Sequence, residues 1–474
     1  MSTKDSDTVP DQAEKANPED SILSPKQQRR AIRKIDIRVS VVCGILFFIC
    51  LLDRTNLGFA MIAGMEEELE LGSGNRYNII ALVFFAPYVF FQLPSTFLVR
   101  SIGVRWSIST ICVLWGVSML GSGFVASWHQ LAGLRVLLGC FEAPFFPVTV
   151  YLLSTWYVRY EVQKRYAFFY LISCIASAFG GILAYGISQM AGLANKAGWR
   201  WIFIIEALIT ITIGFCSFFA VVEFPENAHK SFRFLNPNEI KWVLQRIDND
   251  RGDAETEGLN ITAFLKAGTD PKLWLLGMIF CCLTTITFGV SFFAPTILKD
   301  MGFSVAASQM LTAPPYVLAG VLMVACGYIG DRYHIRGPLI IFNALVSLAG
   351  ALIVVYCQAS GVRYFGLFLL AAGSNANVPA GMAYQANNVH GQWARAFGSA
   401  TIVGFGGVGG VCGSLVFRSQ DAPGYVNGFY ACMAASGLVI VIVLGFTVYF
   451  VQQNRLIRSG KKMIGGQQDL YYTL

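Results

Sequence analysis

The sequence predicts an all-α integral membrane protein, with twelve transmembrane helices in two pseudo-symmetric six-helix halves. Three observations lead there. Of 474 residues, 55% are hydrophobic and 13% charged, with a mean hydropathy of +0.55; a soluble domain carries about a quarter charged residues. The apolar residues fall into runs of about twenty, the length a helix needs to cross the hydrocarbon. Those runs come in two sets of six, separated by a polar stretch from Glu223 to Pro271.

The first set, within residues 39–222, lies at 39–60, 77–98, 106–126, 130–157, 166–190 and 200–222. The second, within residues 272–451, lies at 272–297, 310–330, 338–357, 363–386, 397–417 and 426–451. Residues 1–38 read as a disordered tail, because the opening segment is polar and holds no apolar core of a signal peptide. The central loop, 223–271, carries an amphipathic helix around Asn238–Ile247. Residues 452–474 form a second tail.

Basic residues write the topology. Arg29, Arg30, Arg33, Lys34 and Arg38 precede the first run. Arg100, Arg105, Arg159, Lys164, Arg165, Arg332, Arg336, Arg455, Arg458, Lys461 and Lys462 share their side, and the acidic stretch Glu66–Glu70 opens the other. The positive-inside rule puts both termini and the central loop in the cytosol, in a membrane expected to be the plasma membrane. The net charge of +7 is explained by these clusters and is no nucleic-acid signature. Twelve cysteines without regular spacing read as small apolar packing groups.

Ionisable residues inside the runs carry the chemistry, since burying them in a membrane is costly without a functional return. Asp53 and Arg54 are adjacent in the first run. At 1.5 Å per residue, Asp53 lies about 22 Å from the start of its span, and Arg135, in the antiparallel fourth span, about 9 Å from the opposite edge. The two residues therefore sit at similar depth. Glu142 follows Arg135 by two turns on the same face. Arginine stays charged when desolvated and its planar fork suits a carboxylate, whereas a buried carboxyl can load and release a proton near neutral pH. Asp53 and Glu142 are therefore the expected proton carriers, and Arg54 and Arg135 the expected anion ligands. Tyr88 and Gln92, one turn apart, and Asn375 and Asn377, just before Pro379, are candidates to complete a substrate pocket or to bond neighbouring helices. The aromatic run Phe84, Phe85, Tyr88, Phe90 and Phe91 reads as facing lipid and neighbours, with stacking on a ring substrate as the lesser alternative. Glu206 is expected to gate, or to cap a network beneath Trp199-Arg200.

The halves also echo each other. Pro94-Ser95 and Arg100-Ser101-Ile102-Gly103-Val104-Arg105 follow the second span; Gly327-Tyr328-Ile329-Gly330-Asp331-Arg332 and Arg336-Gly337 follow the eighth. This repeat, with Gly-x-x-x-Asp-Arg at 327–332, resembles the major facilitator superfamily. Asp53-Arg54-x-Asn56-Leu57-Gly58 and Arg135-x-x-x-Gly139-x-x-Glu142-Ala143-x-x-x-Pro147 resemble its anion:cation symporter branch. Ala313-Pro314-Pro315-Tyr316, Asn387-Asn388-x-x-Gly391 and Asp421-Ala422-Pro423 resemble the fungal allantoate/nicotinate/pantothenate permease group. The resemblance spans about residues 35–455. It implies alternating access between the halves, with Arg100, Asp331, Arg332 and Arg336 locking a gate without touching substrate.

The expected function is proton-coupled uptake of a small organic anion by a monomeric carrier, without cofactor or metal. The same fold with reversed flux would export an anionic metabolite. A non-transporting sensor would be expected to carry a longer cytosolic domain. No phosphate-binding Gly-x-x-x-x-Gly-Lys loop, nucleophile elbow or zinc-binding helix is present in the sequence, so an enzyme is not expected.

Overall fold

The computed structural model describes residues 23–72, 74–251, 261–333, 335–389, 392–459 and 471–473, which form helices and the segments that connect them, without a strand among them. The first half comprises α1 (Pro25–Glu68), α2 (Arg76–Ile102), α3 (Val104–Ser122), α4 (Trp128–Trp156), α5 (Arg159–Ser188) and α6 (Gly198–Ala220). The second comprises α7 (Pro271–Asp300), α8 (Ala313–Tyr333), α9 (Gly337–Tyr356), α10 (Ser360–Asn388), α11 (Gln392–Val416) and α12 (Val426–Arg458). Among the described residues, ten helices are long and apolar enough to cross a membrane. The other two of the twelve, α2 and α10, are 27 and 29 residues long.

Packing repeats between the halves. α1 packs on α5, α2 on α4 and α3 on α6; correspondingly α7 packs on α11, α8 on α10 and α9 on α12. The halves meet where α2 lies on α11 and α5 on α8, two contacts that a two-fold axis exchanges, and where α1 crosses α7. At that crossing a Cβ on Gly58 would stand 2.5 Å from the Phe292 carbonyl oxygen. Only glycine admits so close a backbone approach.

The described parts of both tails are more ordered than the composition predicts. Helix α1 begins at Pro25, not at 39, with Pro25 in the first turn and Ser24 N donating to Gln27 Oε1 at 2.9 Å. Its charged residues mask an apolar stripe, in which Ala31 and Ile35 are buried, and Lys34 pairs with Glu239 at 2.8 Å. Residues 1–22 lie outside the described residues. The amphipathic helix of the central loop runs Pro237–Arg251, with a second short helix at Ile261–Ala267. Its approach is tied to the first half: Glu223 accepts from Val104 N and Arg105 N at 3.0 and 3.2 Å, capping α3.

Polar contacts between the halves concentrate at the end of the bundle away from the termini, called distal here. Asn78 Nδ2 donates to Ser414 O and Phe417 O, each at 2.7 Å. A first-half side chain thus satisfies carbonyls left over at the C-terminus of α11. Tyr77 Oη donates to Phe292 O at 2.9 Å, and Lys299 lies 3.7 Å from Glu66. The distal end is closed. Asn78→Ala should orphan two carbonyls and lower the stability of this closed form by about 2 kcal/mol, read as a fall in the thermal unfolding midpoint. An unchanged midpoint would show that these bonds do not hold the end shut.

Candidate functional site

Four consecutive polar residues on α1 are buried: Asp53, Arg54, Thr55 and Asn56. Successive helical residues point about 100° apart, so each meets a different neighbour. Asp53 turns to α3 and α6, where its Oδ2 accepts from Trp115 Nε1 and Thr210 Oγ1, both at 3.1 Å. Arg54 turns to α4 and donates through Nε to Glu142 Oε1. The same carboxylate oxygen accepts from Cys50 Sγ at 2.8 Å, one turn back on α1. The Arg54 guanidinium also lies over the rings of Tyr88 and Phe84, with centroids at 4.7 and 5.4 Å. Asn56 accepts from Arg135 Nη2 at 3.3 Å.

Helix geometry brings these groups together. A Cβ on Gly139 would stand 2.2 Å from Phe84 O, so α2 and α4 touch backbone to backbone there. Glu142, three residues later on the same face, therefore reaches the gap between α1 and α2. Helix α4 breaks just beyond it, at Ala143-Pro144, before resuming at Phe145. Proline has no N–H to continue the ladder.

Charge is unevenly matched. Arg54 and Glu142 neutralise each other, but Arg135 is 3% exposed, its Nε has no hydrogen-bond partner, and its hydrogen-bond acceptor is the neutral Asn56. Glu142 Oε2 and Glu206 Oε2 likewise lack hydrogen-bond partners. Each such buried group costs about 1–3 kcal/mol, more when charged. A site that keeps them retains hydrogen-bonding capacity for something other than its own fold.

The remaining candidates divide. Tyr88 joins the Arg54 cluster, and Gln92 is buried one turn further along α2. Phe84 and Phe85 are also buried, with Phe85 against Phe288 and Phe292 of α7, whereas Phe90 and Phe91 are exposed as expected of lipid-facing residues. Phe84 and Phe85 are the members of the run that face neighbours, because α2 presents one face to α4, α7 and α11. Asn375 and Asn377 do not share a pocket. Two residues apart on a helix, they point about 200° from each other. Asn377 Nδ2 donates to Ile340 O of α9 at 3.0 Å, fixing helix to helix, while Asn375 Nδ2 donates to Ala371 O of its own helix at 2.8 Å.

Glu206 does not cap Trp199-Arg200. Glu68 does: Trp199 Nε1 and Arg200 Nη2 each donate to it at 2.6 Å. Glu206 sits instead on the inner face of α6, within electrostatic reach of Asn56, Arg135 and Asp53. Among the expected gate residues, Arg332 is exposed and donates to Tyr328 Oη at 3.3 Å. Arg336 is buried and folds onto Gly330, where a Cβ would stand 2.8 Å from its Nη1. The side chains of Arg100 and Asp331 lie outside the described residues.

Sequence reasoning passed over Cys50, Trp115 and Thr210. Cys50 had a signal, since it lies four residues before Arg54 and so shares its face. Trp115 and Thr210 had none, because only packing brings α3 and α6 to Asp53.

The profile of the Major Facilitator Superfamily matches residues 43–414. The chain belongs to that superfamily. This carrier is 31% identical over 418 residues to the high-affinity nicotinic acid transporter of Saccharomyces cerevisiae, covering 88% of the chain and 77% of that relative. It is 29% identical over 469 residues to the major facilitator-type transporter hxnP of Emericella nidulans, covering 96% and 92%. Among solved structures it resembles the xylose transporter XylE from E. coli in a partially occluded inward open conformation, with a TM-score of 0.68, 15% identity and coverage of 88% and 97%. A bacterial homologue of the human lysosomal transporter Spinster, inward-facing and occupied, superposes with a TM-score of 0.64 at 13% identity, covering 90% and 98%. The protein is a multi-pass membrane protein and a secondary transporter of this superfamily.

Proposed function

We propose that this carrier imports a small organic monocarboxylate together with a proton, across the plasma membrane and with both termini cytosolic. The observation that carries the reading is the buried Arg54–Glu142 pair. A carboxylate already occupies the seat that an anionic cargo needs, held by an arginine packed under Tyr88 and Phe84. When Glu142 takes a proton, Arg54 loses its counter-ion and binds the cargo carboxylate instead. When the proton leaves, Glu142 reclaims Arg54 and expels the cargo. Binding of proton and anion is thereby linked through one guanidinium. A proton and a monoanion travelling together move no net charge.

Arg135, with its unpartnered Nε, is the second cation available to an anion passing toward the distal end. Asp53, held by Trp115 and Thr210, braces α1 against α3 and α6 in this scheme and is the secondary candidate for the proton. The nicotinic acid transporter among the relatives makes pyridine carboxylates the first cargo to test.

A panel of labelled organic acids, nicotinate first, should be offered at pH 5 and pH 7.5 to cells lacking their own permeases. Uptake of at least one monocarboxylate should be faster at pH 5, and should collapse when a protonophore abolishes the gradient. Uptake indifferent to pH and protonophore would rule the coupling out.

A further inference from the structure

Tyr472 and Thr473 are held against the second half. Tyr472 lies in a groove at the terminal end of the second half, 9% exposed, its ring stacked on Phe450 of α12 at 4.7 Å and 5°. Asn454, one turn further along α12, grips the Tyr472 backbone from both sides: its Nδ2 donates to Tyr472 O and its Oδ1 accepts from Tyr472 N, each at 2.9 Å. Thr473 N donates to Asn388 Oδ1 at 2.8 Å, at the last residue of α10. Lys272, at the start of α7, lies 5.6 Å from the Tyr472 ring centroid. Three helices of one half are thus joined through one short segment. The arrangement also explains Asn388, part of the Asn387-Asn388 motif that the transport site leaves unused.

The stretch of α10 that the tail holds is the stretch that meets the other half. Beyond Pro379, Met382 Sδ accepts from Tyr170 Oη of α5 at 2.7 Å, and Gly381 packs against Leu283 of α7. The tail fastens this stretch to α7 and α12, so any further movement of the stretch toward α5 has to break the tail's contacts. A ligand that binds one of two conformers shifts the equilibrium toward it, and a tethered tail acts as such a ligand at high effective concentration.

We infer that Tyr471–Thr473 is a displaceable clamp that binds the distal-closed conformer in preference to the terminal-closed one. It thereby sets how readily α10 swings toward α5. The inference rests on the carrier alternating between those two closures, but not on the cargo or the proton.

The test uses the purified carrier with its twelve native cysteines replaced and spin labels at Ile37 of α1 and Leu456 of α12, both exposed. Pulsed electron resonance then reports the separation of the halves at the terminal end. The full-length chain should show one dominant distance. A chain lacking residues 470–474, or carrying Asn454→Ala, should show a second, shorter population. Adding the synthetic peptide Asp469–Leu474 to the shortened chain should restore the first, and the same peptide with Tyr472→Ala should bind about tenfold more weakly. Unchanged distance distributions in both variants would overturn the inference, as would a lowered unfolding midpoint with no shift in population. Failure of the peptide to bind the shortened chain would overturn it as well. None of these readouts involves uptake, so their failure leaves the proposed transport cycle standing.

Discussion

Glu142→Gln is expected to abolish uphill accumulation while leaving exchange of labelled for unlabelled cargo intact. Glutamine keeps the shape of the side chain and offers Arg54 Nε and Cys50 Sγ a neutral oxygen at the same place. It cannot release a proton, so it freezes the site in the state that the proposed cycle assigns to the protonated carrier. Arg54 then remains available to the cargo carboxylate on both sides of the membrane. The ratio of internal to external cargo should fall to about one, because nothing couples the gradient to the cargo. Labelled nicotinate, or whichever acid the panel identifies, gives the measurement in preloaded vesicles with and without a pH difference. Accumulation that survived in Glu142→Gln would move the proton to Asp53, for which Asp53→Asn is the matching experiment.

The second large effect concerns Arg54. Arg54→Gln leaves the Glu142 carboxylate 1% exposed, with the Cys50 thiol as its remaining hydrogen-bond donor among the described residues. Removing one member of a buried ion pair costs about 3–5 kcal/mol, most of it from the stranded partner. The double variant Arg54→Gln with Glu142→Gln strands no charge and should recover most of that stability. Neither form should take up the anion, since the guanidinium is gone from both. Thermal unfolding of the four proteins closes a double-mutant cycle, and uptake measured beside it separates folding from function. If the double variant were no more stable than Arg54→Gln, the two residues would not be acting as a pair.

The number and order of the helices were legible because bilayer thickness imposes one length on every span, and length survives in sequence without knowledge of neighbours. The ordered tails were not. Pro25 to Ile35 is rich in charge, and its burial of Ala31 and Ile35 depends on partners distant in the chain, Glu239 among them. Within the candidate site, the depth argument set Asp53, Arg54 and Arg135 at similar depth with Glu142 two turns deeper, but it did not foresee that Arg135 meets Asn56 or that Glu142 pairs with Arg54. The rise per residue is the same in every helix, so antiparallel spans can be aligned by counting. Counting fails for Asn375 and Asn377. Their environment depends on how α10 is rotated against α9, and that rotation is set by close contacts such as Gly373 against the Asn343 carbonyl.

The sequence by itself determined that Asp53 and Arg54 are buried ions in a twelve-helix carrier of two repeated halves. It also determined that neighbours on one helix serve different partners, because 100° of rotation separates them. Only the tertiary structure decided which partners these are: Trp115 and Thr210 for the acid, Glu142, Tyr88 and Phe84 for the base. It also decided that Arg135 keeps an unpartnered donor and that Thr473 bonds Asn388 of α10. The reason is physical. Hydropathy and helical rise are local and accumulate along the chain, whereas pairing of buried charge depends on which helices their small residues allow to touch.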